Sequence, residues 1–129
     1  MATRIKEKAA FRAENADKRP SATAKYIRLS PDKVRIVLDV IRGQKYTDAL
    51  AILKNTQKAA CEPLVKVLNS AAANAENNLG MNKNDLYVAA CYANAGPILK
   101  RMRARAKGSG ARINKRTSHI TIILDEVAD

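Results

Sequence analysis

The residues best suited to chemistry in this sequence are positively charged, and they stand in one run. Between Lys100 and Arg116 there are eight lysines and arginines and no aspartate or glutamate. Such groups bind phosphate, and arginine can donate two parallel hydrogen bonds to one phosphate group. The alternative is a solvated loop, but a loop of seventeen residues rarely excludes every carboxylate. The run therefore predicts a binding site for a polyanion.

Groups that enzymes use for acid, base or nucleophilic chemistry are scattered. His119 is the only histidine, and no cysteine stands near it in the sequence. No two carboxylates have a spacing that brings them together for general acid and base work. Cys61 and Cys91 lie thirty residues apart, without the close pairs of zinc and redox motifs, and are interpreted as small buried residues. The sequence therefore predicts no enzyme, no metal site and no cofactor.

The overall charge agrees with a polyanionic partner. The chain has 129 residues, the size of one domain, and a formal net charge of +12. Residues 1–45 hold twelve basic and five acidic residues, 46–95 hold four of each, and 96–117 hold eight basic residues alone. A neutral middle with basic flanks is typical of a nucleic-acid-binding protein.

The first residues are predicted to form a tail. Residues 1–19 contain arginine, as transit peptides do, but Glu7, Glu14 and Asp17 argue against that interpretation. We therefore expect a mobile basic tail over 1–22 and one folded domain over 23–129. No apolar stretch approaches the roughly 20 residues of a membrane span, and no signal peptide is recognised, so a cytoplasmic protein is expected.

Regular elements are predicted on both sides of the neutral middle. A weak period of two predicts a strand over 23–29. An apolar stripe predicts a helix from Pro31 to just before Gly43, and a shorter helix is expected over 47–55. A third helix is expected to be capped by Thr56 and to end near Asn78, before Gly80. Pro63 interrupts it at a cost of ~3 kcal/mol, so that helix either bends there or begins nearby.

Two apolar strands flank the basic run. Residues 85–95 and 119–124 alternate in the manner of strands, and the first alternation places Tyr92 in the core. Glycines near Gly108 permit a tight turn, so 96–117 is predicted to be one long hairpin. Cations of its two arms are expected to face each other and repel, and a lone two-stranded ribbon is marginal in water. A partner must therefore order it.

The sequence resembles the bacterial-type family of large-subunit ribosomal protein twenty-two across about four-fifths of its length. The resemblance rests on five stretches that keep their order and spacing. They are Lys25–Gly43 (KYIRLSPDKVRIVLDVIRG), Ser70–Asn78 (SAAANAENN), Gly96–Arg101 (GPILKR), Arg105–Gly108 (RAKG) and Lys115–Ile122 (KRTSHITI). Ala104, where many relatives have proline, and Ser109–Ala111 at the tip depart from the family pattern.

This resemblance implies an α+β fold, with three helices packed on a three-stranded antiparallel sheet and one long protruding basic hairpin. It implies a structural role in the large ribosomal subunit, where the protein binds large-subunit ribosomal RNA, helps assembly and lines the nascent-peptide exit tunnel. The implied partners are that RNA, neighbouring ribosomal proteins, the nascent polypeptide, and macrolide antibiotics near the hairpin.

The basic residues supply most of the expected RNA contacts. The cations Arg28, Lys33, Arg35 and Arg42 fit either an RNA-facing patch or a solvated helix face, and the resemblance favours RNA. The full expected set is Lys25, Arg28, Lys33, Arg35, Arg42, Lys45, Lys100, Arg101, Arg103, Arg105, Lys107, Arg112, Lys115, Arg116, Thr117, Ser118 and His119. The expected tunnel-lining residues are Leu99, Lys100, Arg101, Arg103, Arg105 and Lys107.

Two other classes of function remain as alternatives. An architectural DNA-binding protein with basic β-arms would kink duplex DNA by wedging an apolar residue between bases. No proline or large aromatic residue lies between Ile98 and Ile123, which disfavours wedging. A protein-binding module is the third possibility, and it would keep its partner at high salt.

Overall fold

The structure is a computed structural model that describes residues 2–128. Its two short 3₁₀ turns are Lys83–Asp85 and Ala106–Gly108. Its helices and strands, in chain order, are α1 Ala2–Glu14, β1 Ser21–Ile27, α2 Pro31–Ile41, α3 Tyr46–Asn55, α4 Cys61–Leu79, β2 Leu86–Ala95, β3 Leu99–Ala104, β4 Gly110–Lys115 and β5 Ser118–Glu126.

Strand β5 is the centre of an antiparallel sheet in the order β1-β5-β2. Its Ile120, Ile122 and Leu124 are fully buried, together with Leu38 of α2 and Leu68 of α4. The alternation of strand residues sends these side chains to one face, and α2, α3 and α4 cover that face. The described residues therefore share one hydrophobic core between the helices and the sheet.

The predicted α+β class is confirmed, but the predicted count of elements is not. The described chain has a fourth helix, α1, and strands β3 and β4 form a second, two-stranded sheet. The sequence predicted a tail over 1–22, yet α1 occupies most of it. Because Ile5 and Phe11 are six residues apart, they lie about 120° apart around the helix and form no continuous apolar stripe. Their exposed fractions are 71% and 67%, and every side chain over 3–14 is exposed.

The ends of the core helices differ from prediction in one place. Thr56 does not cap α4; it ends α3, where its hydroxyl donates to the carbonyl of Ile52 at 2.7 Å. Helix α4 begins at Cys61, so Pro63 lies in its first turn, where a missing N–H breaks no helical hydrogen bond. Gly80 ends α4 with a φ of 65°, as predicted.

Tyr92 is not in the core, and a break in strand register explains why. The pairing of β2 with β5 shifts between Val88 and Ala90. A bulge of this kind reverses which face each later residue occupies. Cys91 and Ala93 are buried as a result, and Tyr92 is 44% exposed on the face of the sheet that bears no helix. The predicted packing of Tyr92 is therefore wrong.

The long basic hairpin is confirmed, and its register corrects one expectation. No cation of β3 lies directly opposite a cation of β4, so the predicted face-to-face repulsion is avoided at every pair. The cross-strand pairs are Leu99 with Lys115, Lys100 with Asn114, Arg101 with Ile113, Met102 with Arg112, Arg103 with Ala111, and Ala104 with Gly110.

The hairpin joins the sheet through a tight junction at Gly96. The Gly96 N–H donates to the carbonyl of Thr117 at 2.9 Å, and the Thr117 hydroxyl donates to the carbonyl of Pro97 at 2.7 Å. A Cβ at Gly96 would lie 2.5 Å from Thr117 Oγ1 and 3.2 Å from the His119 ring. The close approach of the two strands therefore requires glycine.

Removing residues 2–14 is expected to leave the thermal stability of the domain nearly unchanged, with Tm moving by less than about 2 °C, since α1 buries none of its side chains over 3–14. Thermal unfolding followed by circular dichroism measures this. As a comparison, Leu68→Ala in the core should cost about 2–5 kcal/mol. A large loss of stability on truncation would mean that α1 packs on the domain.

The substitution Gly96→Ala is expected to lower the free energy of unfolding by about 1–3 kcal/mol, because the new methyl group overlaps Thr117 Oγ1. Urea denaturation measures the loss. Removing the obstructing atom in the double variant Gly96→Ala/Thr117→Ala should cost less than the sum of the two single changes. Additive costs would show that the methyl group does not overlap Thr117.

Candidate nucleic-acid interface

The hairpin places cations on both of its faces. Residues paired across the ladder share a face, so Arg101, Arg103 and Lys115 lie on one side, and Lys100 and Arg112 lie on the other. Every residue from Pro97 to Gly110 is exposed. The ribbon is therefore able to contact phosphates on two sides at once.

The tip continues this surface with a short, well-defined turn. The Arg105 N–H donates to the Ser109 carbonyl at 2.8 Å, and the Ser109 hydroxyl donates to the Ala106 carbonyl at 2.9 Å. Lys107 and Gly108 both have positive φ, 58° and 70°. The turn thus falls at the predicted position, and it points the Arg105 and Lys107 side chains into solvent.

At the base of the hairpin, cations from two distant parts of the sequence come together. A groove lies between the segment before α2 and the end of β4. It is lined by Arg28, Leu29, Ser30, Lys33, Asn114, Lys115 and Arg116. Four of these seven residues are basic and none is acidic, so the hairpin charge continues onto the folded domain. The expected residues Arg28, Lys33, Lys115 and Arg116 thus belong to one surface.

Arg35 and Arg42 have structural partners on β2. The Arg35 Nε donates to the carbonyl of Ala93 at 3.0 Å, and Arg42 Nη2 donates to the carbonyl of Cys91 at 3.0 Å. Each guanidinium also pairs with an aspartate one helical turn away: Arg35 with Asp32 and Arg42 with Asp39. The hydrogen bond to Asp39 raises the pKa of Arg42 further above its ordinary value. These two cations therefore attach α2 to the sheet edge, and their charge is partly compensated.

Neither Lys45 nor Lys25 lines the groove. Lys45 forms an isolated bridge with Tyr87 at the start of β2, whereas the hairpin leaves from the end of that strand, about 26 Å further at ~3.3 Å per residue. Acidic residues Asp85 and Glu126 are its neighbours. Lys25 is exposed near the end of β1, close to the hairpin base.

Two of the expected contact residues are buried. Thr117 and Ser118 have exposed fractions of 5% and 0%, and the Ser118 hydroxyl has no partner among the described residues. Thr117 is engaged at the Gly96 junction, so neither side chain reaches the surface. His119 is half-buried, and its Nδ1 accepts a hydrogen bond from the Tyr26 N–H at 3.0 Å. These three residues shape the base of the hairpin from inside the fold.

Tyr26 has an unusual backbone conformation for a bulky residue. Tyr26 has a φ of 58° and is 64% exposed beside Lys25. A period-two pattern contains no signal for such a residue, because the register break between Ala24 and Ile27 interrupts the alternation.

The described residues offer little to catalysis. Burial raises the pKa of the Cys91 thiol, which donates to the carbonyl of Leu38, so the reactive thiolate is disfavoured. Within residues 2–128, no three histidine, cysteine or carboxylate side chains group together as a metal site. No helix in that range is long and apolar enough to cross a membrane.

Comparison with known proteins shows to which family the chain belongs. Residues 22–125 match the family described as ribosomal protein L22p/L17e. The large ribosomal subunit protein uL22 of Clostridium novyi (strain NT) is 54% identical over 107 residues, covering 83% of this chain and 96% of the relative. The family match begins after α1 and includes the hairpin, the groove and nearly all of the three-stranded sheet. The chain therefore belongs to the L22p/L17e family of ribosomal proteins.

Proposed function

We propose that this protein is a structural constituent of the large ribosomal subunit that binds large-subunit ribosomal RNA and helps the subunit to assemble. Its place is then the ribosome in the cytoplasm, its partners are that RNA and neighbouring ribosomal proteins, and it catalyses no reaction. The observation that carries the proposal is the exposed hairpin, whose eight cations continue into the basic groove at its base.

Internal charge pairing does not explain the hairpin. In the described part of the chain, every salt bridge lies outside 96–117. The hairpin cations therefore pair with no described carboxylate. A ribbon with charge on both faces fits between two RNA helices, where each contact releases counterions from the phosphates. If all eight groups contacted duplex-like phosphates, binding would depend on salt with a slope of roughly −7.

The same hairpin is proposed to line the nascent-peptide exit tunnel. The residues that would face the nascent polypeptide are Leu99, Lys100, Arg101, Arg103, Arg105 and Lys107, and macrolide antibiotics would bind near the first three. The exposure of all six residues along one ribbon and its tip supports the proposal. The DNA-binding alternative has no support from the family match, and no proline or large aromatic residue lies between Ile98 and Ile123 to act as a wedge.

Replacing Lys100, Arg101 and Arg103 with glutamine is expected to weaken binding to large-subunit ribosomal RNA and to reduce the magnitude of the salt slope by roughly 2–3, since each phosphate contact contributes about 0.7–0.9. Filter binding at several salt concentrations measures both quantities. The matched control replaces Lys54, Lys58 and Lys66, which removes the same charge from the α3 and α4 region. Equal slopes for both variants would place the RNA contacts elsewhere.

Hydrogen exchange is expected to divide the free protein into two parts. Amides of β3 and β4 should exchange quickly, because a two-stranded ribbon without a packed face is marginal, whereas those of β5 should be protected. Binding of the RNA should slow exchange in the hairpin. Strong protection of β3 and β4 in the absence of RNA would contradict the proposal that RNA orders the ribbon.

A further inference from the structure

Tyr26 combines a disfavoured backbone with an exposed ring. Its φ of 58° lies in the left-handed region, which bulky residues rarely adopt and which surrounding contacts must enforce. Tyr26 is 64% exposed, so burial in the core does not offset the energetic cost of this conformation. Residues held in this manner are typical of binding sites.

Contacts with β5 fix the direction of the ring. The Tyr26 N–H donates to Nδ1 of His119 at 3.0 Å, and the two rings meet edge to face with their centres 4.9 Å apart and their planes at 87°. This hydrogen bond requires the register break that lifts Tyr26 out of the β1 ladder. One histidine therefore holds both the backbone and the ring of Tyr26, while most of the ring surface stays in solvent.

The surroundings of the ring indicate what it binds. Lys25 directly precedes Tyr26, Arg28 follows it by two residues, and both are exposed. Arg28 also belongs to the basic groove with Lys115 and Arg116. An aromatic ring supplies a face on which a nucleobase stacks, and adjacent cations bind the phosphates on either side of that base. A protein partner would need carboxylates to match these cations, and the rest of the basic surface favours phosphate.

We propose that Tyr26 is a stacking platform for an unpaired RNA base, held in place by His119 and served by the basic groove. The inference rests on the proposed function and deepens it, because it assigns a base contact to a surface otherwise argued from phosphate contacts. Stacking is tolerant of sequence, so any unpaired base in reach of the groove is a suitable ligand.

The test measures binding of the full chain to large-subunit ribosomal RNA and to a blunt RNA duplex that has no unpaired base. Tyr26→Leu should weaken binding to the ribosomal RNA by roughly five- to a hundredfold, as expected for a lost stacking contact. Its salt slope should match that of the wild type, since stacking releases no counterions. Binding to the duplex should be unchanged. Tyr26→Phe keeps the ring and should bind within about twofold of the wild type.

Two further variants separate loss of the ring from loss of the fold. Tyr26→Gly accepts the positive φ, so it should fold and still lose the same affinity as Tyr26→Leu. Tyr26→Trp introduces the only tryptophan, because the chain has none, and its fluorescence should be quenched by ribosomal RNA and not by the duplex.

The outcomes distinguish the two proposals. If the wild type fails to bind ribosomal RNA, both proposals are overturned. If the wild type binds with a steep salt slope but Tyr26→Leu and Tyr26→Gly bind equally well, only the stacking platform is overturned. Unchanged RNA affinity with poorer incorporation into ribosomal subunits would assign the ring to a protein contact, and this too would overturn the inference.

Discussion

Antiparallel pairing of β5 on both of its edges is the constraint on which the other features depend. Ile120, Ile122 and Leu124 of this strand fill the core beneath the helices. The residues around its start have separate roles: Thr117, just before the strand, closes the hairpin junction against Gly96, and His119 holds Tyr26. A single strand therefore sets the core, the direction of the hairpin and the position of the exposed ring. A shift of one residue in its register would disturb all three.

Sequence patterns correctly predicted those helices, turns and strands that depend on local periodicity. The apolar stripe of α2, the glycine stop of α4 and the hairpin between two alternating strands all occur as expected. The error at Tyr92 arises because pairing between distant strands decides the outcome: the bulge beyond Val88 exposes its side chain. The register break beyond Ala24, where Tyr26 is exposed, likewise leaves no signal in the pattern. A residue's own neighbours in the sequence do not record such shifts.

The residues that were expected to contact RNA divide in the same way. The hairpin cations needed only their composition to be recognised, and the structure keeps them exposed. Arg35 and Arg42 looked equivalent to Arg28 and Lys33, yet they reach β2 carbonyls that lie some fifty residues away in the chain. Thr117 and Ser118, which were expected to contact RNA, are buried at the base of the hairpin. Positive charge alone therefore does not separate binding residues from structural ones. The hydrogen-bond partners of each side chain must also be known.

The bonds to β2 from α2 and the residues that follow it also affect how the edge of the sheet can meet other molecules. Strand β2 is an edge strand, and an open edge invites a strand from another molecule. Here the Gly43 N–H donates to the Val88 carbonyl, and the Val88 N–H donates to the Gln44 carbonyl. Arg35 and Arg42 donate to the carbonyls of Ala93 and Cys91. These contacts obstruct strand addition at this edge. The residues that position α2 on the sheet thus also protect β2 from pairing with a strand of another molecule.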